Sequence, residues 1–472
     1  MIIRHHYIGY MGSFKERNCF LMGKKFKLVL QNLTPAQMIT SYYGLAVSIS
    51  VLLLNLPGVH KEGVTVSFMD TLFTAVTAVS VTGLTVINIA ETYSTFGIII
   101  LMFVLQFGGI GVMAIGTFFW MILRKKIGLR ERQLIMIDHN QSNLSGLVNL
   151  IREIIKIILI IEVLGAIILS MQFHNYYPTW GDSILHGTFA SVSATTNGGL
   201  DLTGESLTPF KDDYFVQLVN IILITLGAIG FPVLIEVKNY LFPKEGKNHL
   251  KFSLFTKLTT ITFGFLLLFG TIMIIILEWG NYYAGMSWHQ IFFNAFFHST
   301  STRSGGLATM ELNEFSMTTL LIFCFLMFIG ASPSSVGGGI RTTTFALNVL
   351  FIYHYANGNR YIKIFKREIH EEDIIKSLVV TIFAIGICLV AVIALSISEK
   401  ASLIVILFEV CSAFGTTGLS LGLTPELSTF GKCVIMLLMF IGRIGLTSFI
   451  YIIGGKEKKD NFHYPKERII IG

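Results

Sequence analysis

The chain has 472 residues, 53% of them hydrophobic and 13% charged, with a mean hydropathy of +0.68 and a formal charge of +7. A soluble domain carries about 25% charged residues, so the composition excludes an ordinary soluble enzyme or binding module and fits a chain that crosses a membrane repeatedly. The positive charge does not indicate nucleic-acid binding. It is gathered from Arg4 to Lys27, at 124–132, 238–257 and 360–376, and from Lys456 to Arg468, while the outer loops hold only Lys61, Lys211, Lys400 and Lys432.

By the positive-inside rule those basic clusters face the cytoplasm, and both termini with them. The partner they imply is membrane lipid. Residues 1–37 lack the short apolar core and cleavage site of a signal peptide and are expected to stay as a basic cytoplasmic N-terminus. In the first unit, 38–123, an outward span at 38–57 stops at Pro57-Gly58; 68–80 is too short to span and is expected to dip in and return; 95–123 spans back. The second unit, 124–236, adds a cytoplasmic linker and uses 151–172, 182–195 and 213–236. The third, 237–350, uses 254–278, 288–301 and 315–350, and the fourth, 351–453, uses 374–398, 402–414 and 429–453, before a cytoplasmic tail at 454–472. The expected fold is an all-α polytopic membrane protein of four tandem helix–pore loop–helix repeats, with eight transmembrane helices and four re-entrant helices around a pseudo-fourfold pore.

The repeat rests on a motif. Each short segment ends in a polar run closing with Gly-Leu, at Gly83, Gly199, Gly306 and Gly418, spaced 116, 107 and 112 residues apart. A Phe precedes each glycine by ten residues: Phe73, Phe189, Phe296 and Phe408. The loops read Val81-Thr82-Gly83, Asn197-Gly198-Gly199, Ser304-Gly305-Gly306 and Thr416-Thr417-Gly418. Stripping water from a cation requires replacement oxygens, and backbone carbonyls supply them when a loop can turn them inward. Glycine tolerates the dihedrals this demands. Ser, Thr and Asn hold an irregular backbone at membrane depth through side-chain hydrogen bonds. A single such loop would also fit a tight turn; four in register are expected to form an ion filter.

A second expectation concerns 315–350. As one helix, its 36 residues would be about 54 Å long, far longer than a bilayer core. Gly330, Pro333, Gly337, Gly338 and Gly339 break it, and hydroxyls of Ser332, Ser334 and Ser335 can satisfy the freed backbone. A broken helix at membrane depth lines a cavity or packs in protein, and beneath one quarter of a filter this one is expected to be a gate. Arg443, mid-span in the last helix, is expected to latch it. Arg303 is read as holding the third loop, Glu162 as a carboxyl in need of a partner, and Asp70 and Asp182 as caps of short helices. The return helices share Gly108-Gly109-Ile110-Gly111, Gly227-Ala228-Ile229-Gly230 and Gly442-Arg443-Ile444-Gly445, read as close helix packing. The five cysteines show no Cys-x-x-Cys spacing and the histidines no metal spacing, so neither a metal centre nor a covalently bound cofactor is expected.

With Ser80-Val81-Thr82-Gly83-Leu84, Thr196-Asn197-Gly198-Gly199, Thr302-Arg303-Ser304-Gly305-Gly306, Gly415-Thr416-Thr417-Gly418-Leu419 and the Gly/Ser intramembrane stretch, the chain resembles the Trk/Ktr/HKT cation transporters over about residues 35–455. The short N-terminal lead places it nearest the KtrB-like branch. The resemblance implies potassium as substrate, since glycine at all four filter positions matches potassium-selective members. It also implies sodium as an activator, a homodimer with one pore per subunit, and a cytosolic KtrA-like nucleotide-binding ring. Gly198-Gly199 and Gly305-Gly306 depart from a commoner Ala-Gly. A sodium-permeable or weakly selective transporter is the alternative within the class. A membrane enzyme would need a catalytic cluster, and a purely structural subunit would have no use for four such loops.

Overall fold

The computed structural model describes residues 35–111, 147–243, 251–359, 361–446, 448–450, 465 and 467. The basic N-terminus, the 124–132 cluster and nearly all of the tail lie outside the described residues.

The described helices are α1 (Pro35–Leu54), α2 (Phe68–Ser80), α3 (Thr95–Ile110), α4 (Leu147–Phe173), α5 (Trp180–Thr195), α6 (Tyr214–Ala228), α7 (Phe231–Leu241), α8 (Leu254–Glu278), α9 (Trp288–Ser301), α10 (Met317–Ile329), α11 (Thr342–Ala356), α12 (Glu371–Ser398), α13 (Leu403–Phe414) and α14 (Thr429–Ile444), besides four short turns. A long apolar helix, a short helix running into a glycine loop, and a return helix recur in that order four times. Among the described residues, α1, α4, α8 and α12 contain stretches long and apolar enough to cross a membrane. They carry apolar side chains on nearly every face; Ile382, Leu389, Val390 and Ile397 of α12 are exposed, as a lipid-facing helix requires.

The return helices are shorter, because each stops at a glycine with positive φ: Gly111 (95°), Gly230 (102°), Gly330 (68°) and Gly445 (87°). The single span expected over 213–236 is therefore corrected. It bends by 105° between α6 and α7, where Gly230 is followed by Phe231 and by Pro232, which has no N–H to continue the ladder. The small residues read as packing elements are also the places where the backbone turns. A two-stranded hairpin, β1 (Lys363–Ile364) with β2 (Arg367–Glu368), joins the third and fourth units and departs from the expected all-α fold.

The four units close a ring. Each return helix packs on the short helix of the next unit: α3 on α5, α6 on α9, α10 on α13, and α14 back on α2. Within each unit the residue capping the return helix is tied to the end of the first helix. Ser94 Oγ donates to Gly58 O at 2.5 Å. Asp213 accepts from Gln172 Nε2 at 2.6 Å and from Tyr176 at 2.9 Å. Although burial raises the Asp213 carboxyl, these bonds and two backbone N–H groups hold it below its ordinary range. The Glu278 carboxylate accepts from Ser316 N and Oγ, and that of Glu399 from Ser428 N and Oγ.

The closing seam carries an ion pair, Lys432 Nζ to Asp70 Oδ1 at 2.7 Å, with side chains only 15% and 23% exposed. Lys432→Ala should lower the thermal midpoint of the purified protein, a loss of about 2 kcal/mol being ordinary for one hydrogen bond to a charged group. Asp70→Asn should do so less, because it retains an acceptor. Equal midpoints for wild type and Lys432→Ala would show that the seam does not hold the ring.

Candidate functional site

The four glycine loops converge where the ring closes. A Cβ on Gly83 would lie 2.7 Å from Gly198 O, and one on Gly199 would lie 3.4 Å from Gly305 O. A Cβ on Gly306 would overlap Thr417 O, and one on Gly418 would overlap Thr82 O. Each glycine thus faces the carbonyl that precedes the glycine of the next loop, in the cyclic order one, two, three, four, one. The Thr82, Gly198, Gly305 and Thr417 oxygens and four bare Cα positions form one girdle.

Backbone handedness produces this. The glycines have φ of 93°, 62°, 70° and 96°. Two residues earlier, Val81 (55°), Asn197 (54°), Ser304 (69°) and Thr416 (46°) are also left-handed. Alternating handedness along a short loop swings successive peptide planes so that carbonyls can share a side. A β-branched residue such as Val81 is seldom found there, so surrounding bonds must impose the conformation. They do so alike in each unit. The residue before the glycine donates its N–H back into the short helix: Thr82 to Thr77 O, Gly198 to Ser193 O, Gly305 to Ser301 O and Thr417 to Ser412 O, at 2.6–2.9 Å. Hydroxyls of the same residues hold the strand beyond: Thr77 Oγ1 and Ser412 Oγ accept from Gly83 N and Gly418 N, and Ser193 Oγ and Ser301 Oγ donate to Leu200 O and Leu307 O. Ser304 Oγ reaches across to Gly415 O at 2.9 Å, joining loops three and four. Phe73, Phe189 and Phe408 are fully buried and Phe296 half-buried behind the loops.

The third return helix breaks where the sequence requires. α10 ends at Ile329 and α11 begins at Thr342. The intervening loop folds on itself: Ala331 N donates to Gly338 O at 3.1 Å, Arg341 N to Ile329 O at 3.0 Å, and Ser335 Oγ to Ser332 O at 2.6 Å. It is wedged against the candidate filter. A Cβ on Gly337 would lie 2.6 Å from Cβ of Ser304, and one on Gly338 2.7 Å from Cγ2 of Thr416. On its other face a cavity of about 540 Å³ is lined by Pro333, Ser334, Ser335 and Ile340 together with Arg341 and Arg443. The loop therefore stands between the carbonyl girdle and the cavity.

Arg443 clamps it. Its guanidinium donates to Val336 O of the loop and to Gly108 O and Gly109 O of the first return helix. Sequence reading missed a second clamp. Arg341, a non-glycine residue at φ 80°, donates from Nη1 to Ser332 O and Gly337 O. In the sequence it looks like an ordinary cation beside the start of a helix. Arg303 is fully buried and donates to Gly330 O at 3.2 Å, a bond to neighbouring backbone that ties loop three to the break. Glu162 has an amide partner, Gln106 Nε2 at 2.9 Å. Asp70 and Asp182 are not the caps expected: Ser67 and Thr179 hold the N-cap positions, accepting from the Asp backbone N–H groups and donating to their carboxylates at 2.7 Å, so the Asp residues support the caps from the first turn. Among the described residues no group of three or more His, Cys, Asp or Glu could hold a metal ion.

A family model described as TrkH, cation transport protein, matches residues 17–462. The chain is 59% identical over 451 residues to the Ktr system potassium uptake protein D of Bacillus subtilis, covering 96% of this chain and all of that one. It is 35% identical over 441 residues to the Ktr system potassium uptake protein B of the same organism, covering 93% and 97%. The crystal structure of the potassium transporter TrkH from Vibrio parahaemolyticus shares its fold, with a TM-score of 0.71 at 16% identity over 89% of this chain and 85% of that one. The matched length, the apolar helices and the four loops converge on one conclusion: the chain is a multi-pass membrane protein of the TrkH cation transport family.

Proposed function

We propose that the chain takes up potassium across the cell membrane through a filter built by its four glycine loops. The observation that carries this reading is the cyclic girdle of Thr82, Gly198, Gly305 and Thr417 carbonyls. Uncharged, fixed oxygens can replace the water shell of a monovalent cation without binding it too tightly to leave. The names of the two Bacillus subtilis relatives agree, and they point to a transporter rather than an enzyme. In this reading eight spans and four re-entrant helices surround the pore, counting each interrupted return helix as a span, with both termini cytoplasmic. The loop from Gly330 to Ile340 is the gate: it separates filter from cavity and is held by Arg443 and Arg341.

The working assembly is a homodimer seated on a cytosolic KtrA-like nucleotide-binding ring, with sodium as an activator. The purified chain alone should bind neither ATP nor NAD tightly, because the nucleotide acts on the ring; isothermal titration of the chain without the ring checks this, and tight binding to the chain would move regulation into it. Tracer uptake of rubidium into liposomes, with and without the ring, tests the whole reading. Uptake should be suppressed by external potassium far more than by sodium. Equal suppression would favour a weakly selective transporter.

A further inference from the structure

The bend between α6 and α7 leaves backbone groups of the second unit without helical partners, and the loop of the third unit satisfies them. Ser332 N donates to Ala228 O at 3.0 Å, and Val336 N to Gly227 O at 3.2 Å. In return Phe231 N, at the start of α7, donates to Ser334 O at 2.9 Å. Gly230 makes the fit possible: its φ is 102°, and a Cβ there would lie 2.8 Å from Pro333 O. Gly227 also touches the candidate filter, since a Cβ on it would overlap Thr195 O and come within 3.2 Å of Cγ of Asn197.

From this joint α7 leads away at 105° to the α6 axis. With α6 crossing the bilayer, α7 runs close to the membrane plane from the level of the loop, and Tyr240, Leu241 and Phe242 at its far end are exposed. Its far half is tied to two neighbours. Lys238 pairs with Glu153 of α4, and Glu236 Oε2 accepts from Ser253 N at the start of α8 at 3.0 Å.

We propose that the α6–α7 bend is a second latch on the loop, with Gly230 and Phe231 as its positioning residues, and that α7 is the arm through which the cytoplasmic face moves it. The inference rests on the reading of the loop as the gate. α7 is stiff, and its first N–H holds the loop, so displacing its Lys238 end strains the Phe231–Ser334 bond directly. Losing one backbone hydrogen bond of ordinary strength shifts a closed-to-open ratio by about fivefold.

The test is rubidium flux through the full chain in liposomes without the ring, measured for five variants, among them a deletion within 332–338. Gly230→Ala collides with Pro333 O and should raise flux. Lys238→Glu, at a half-exposed pair, spares the buried backbone and should raise flux by about fivefold. Lys238→Glu combined with Glu153→Lys should return it toward wild type, as loss of folding would not. Potassium-over-sodium preference should stay unchanged throughout, which distinguishes a moved gate from a damaged filter. Gly264→Ala, with nothing within 4 Å of its Cβ, is the folding control. If deletion within 332–338 raises flux while Gly230→Ala and Lys238→Glu leave it unchanged, the loop is the gate and the second latch is wrong. If the deletion also leaves flux unchanged, the gate reading itself fails.

Discussion

Gly306→Ser and Gly418→Ser are expected to lose most of the preference for potassium over sodium, Gly83→Ser somewhat less, and Gly199→Ser least. The order follows from the girdle. A Cβ at Gly306 or Gly418 overlaps the neighbouring carbonyl oxygen outright, at Gly83 it lies 2.7 Å from one, and at Gly199 3.4 Å. Each substitution also places an L residue at positive φ, at a cost of about 1–2 kcal/mol. The loop relieves both by shifting, and the shifted carbonyl no longer holds its place in the ring. Selectivity is a difference between two cations, so a displacement worth about 1.4 kcal/mol removes a factor of about ten. Bi-ionic reversal potentials of the four single variants measure it. Unchanged discrimination in all four would remove the filter from these loops.

Deleting part of 332–338 should produce the second large effect: flux that is several-fold higher and no longer depends on the ring. Arg443→Gln should raise flux more mildly. Arg443 makes three bonds to backbone oxygens of two different units, and bonds from a charged donor contribute about 1.5–3 kcal/mol each. The loop in that variant still keeps the Arg341 bonds to Ser332 O and Gly337 O, so opening is incomplete. A planar guanidinium can bridge three carbonyls and Gln cannot, which also explains why Arg443→Lys should resemble Gln more than wild type. Flux through liposomes, with and without the ring, reports all three. Wild-type flux and regulation in the deletion variant, in a correctly folded protein, would place the gate elsewhere.

The parts of this site that were legible in the sequence are those where backbone geometry restricts residue type. Glycine at 83, 199, 306 and 418 is needed for positive φ and for lack of a side chain, so it recurs in register. The Gly330–Gly339 break was legible because no helix accommodates that run. The left-handed residues two positions earlier were not, because Val81, Asn197, Ser304 and Thr416 share no composition; tertiary bonds impose their conformation. Arg341 was hidden for a similar reason, since its role comes from a loop that folds back onto it. The bend at Gly230 carried a signal, Pro232 just beyond the glycine, that reading the segment as helix packing passed over. The seam between Asp70 and Lys432 joins residues 362 positions apart, a pairing that no local pattern encodes.

The central claim is that one cation sits on the axis of the four loops, ligated by their backbone carbonyls. Anomalous diffraction from crystals of the protein grown with thallium or rubidium in place of potassium tests it most directly. The account predicts a peak on the axis at the level of Thr82 O, Gly198 O, Gly305 O and Thr417 O that persists when an equal concentration of sodium is added. A peak elsewhere in the chain with none between the four loops would contradict it.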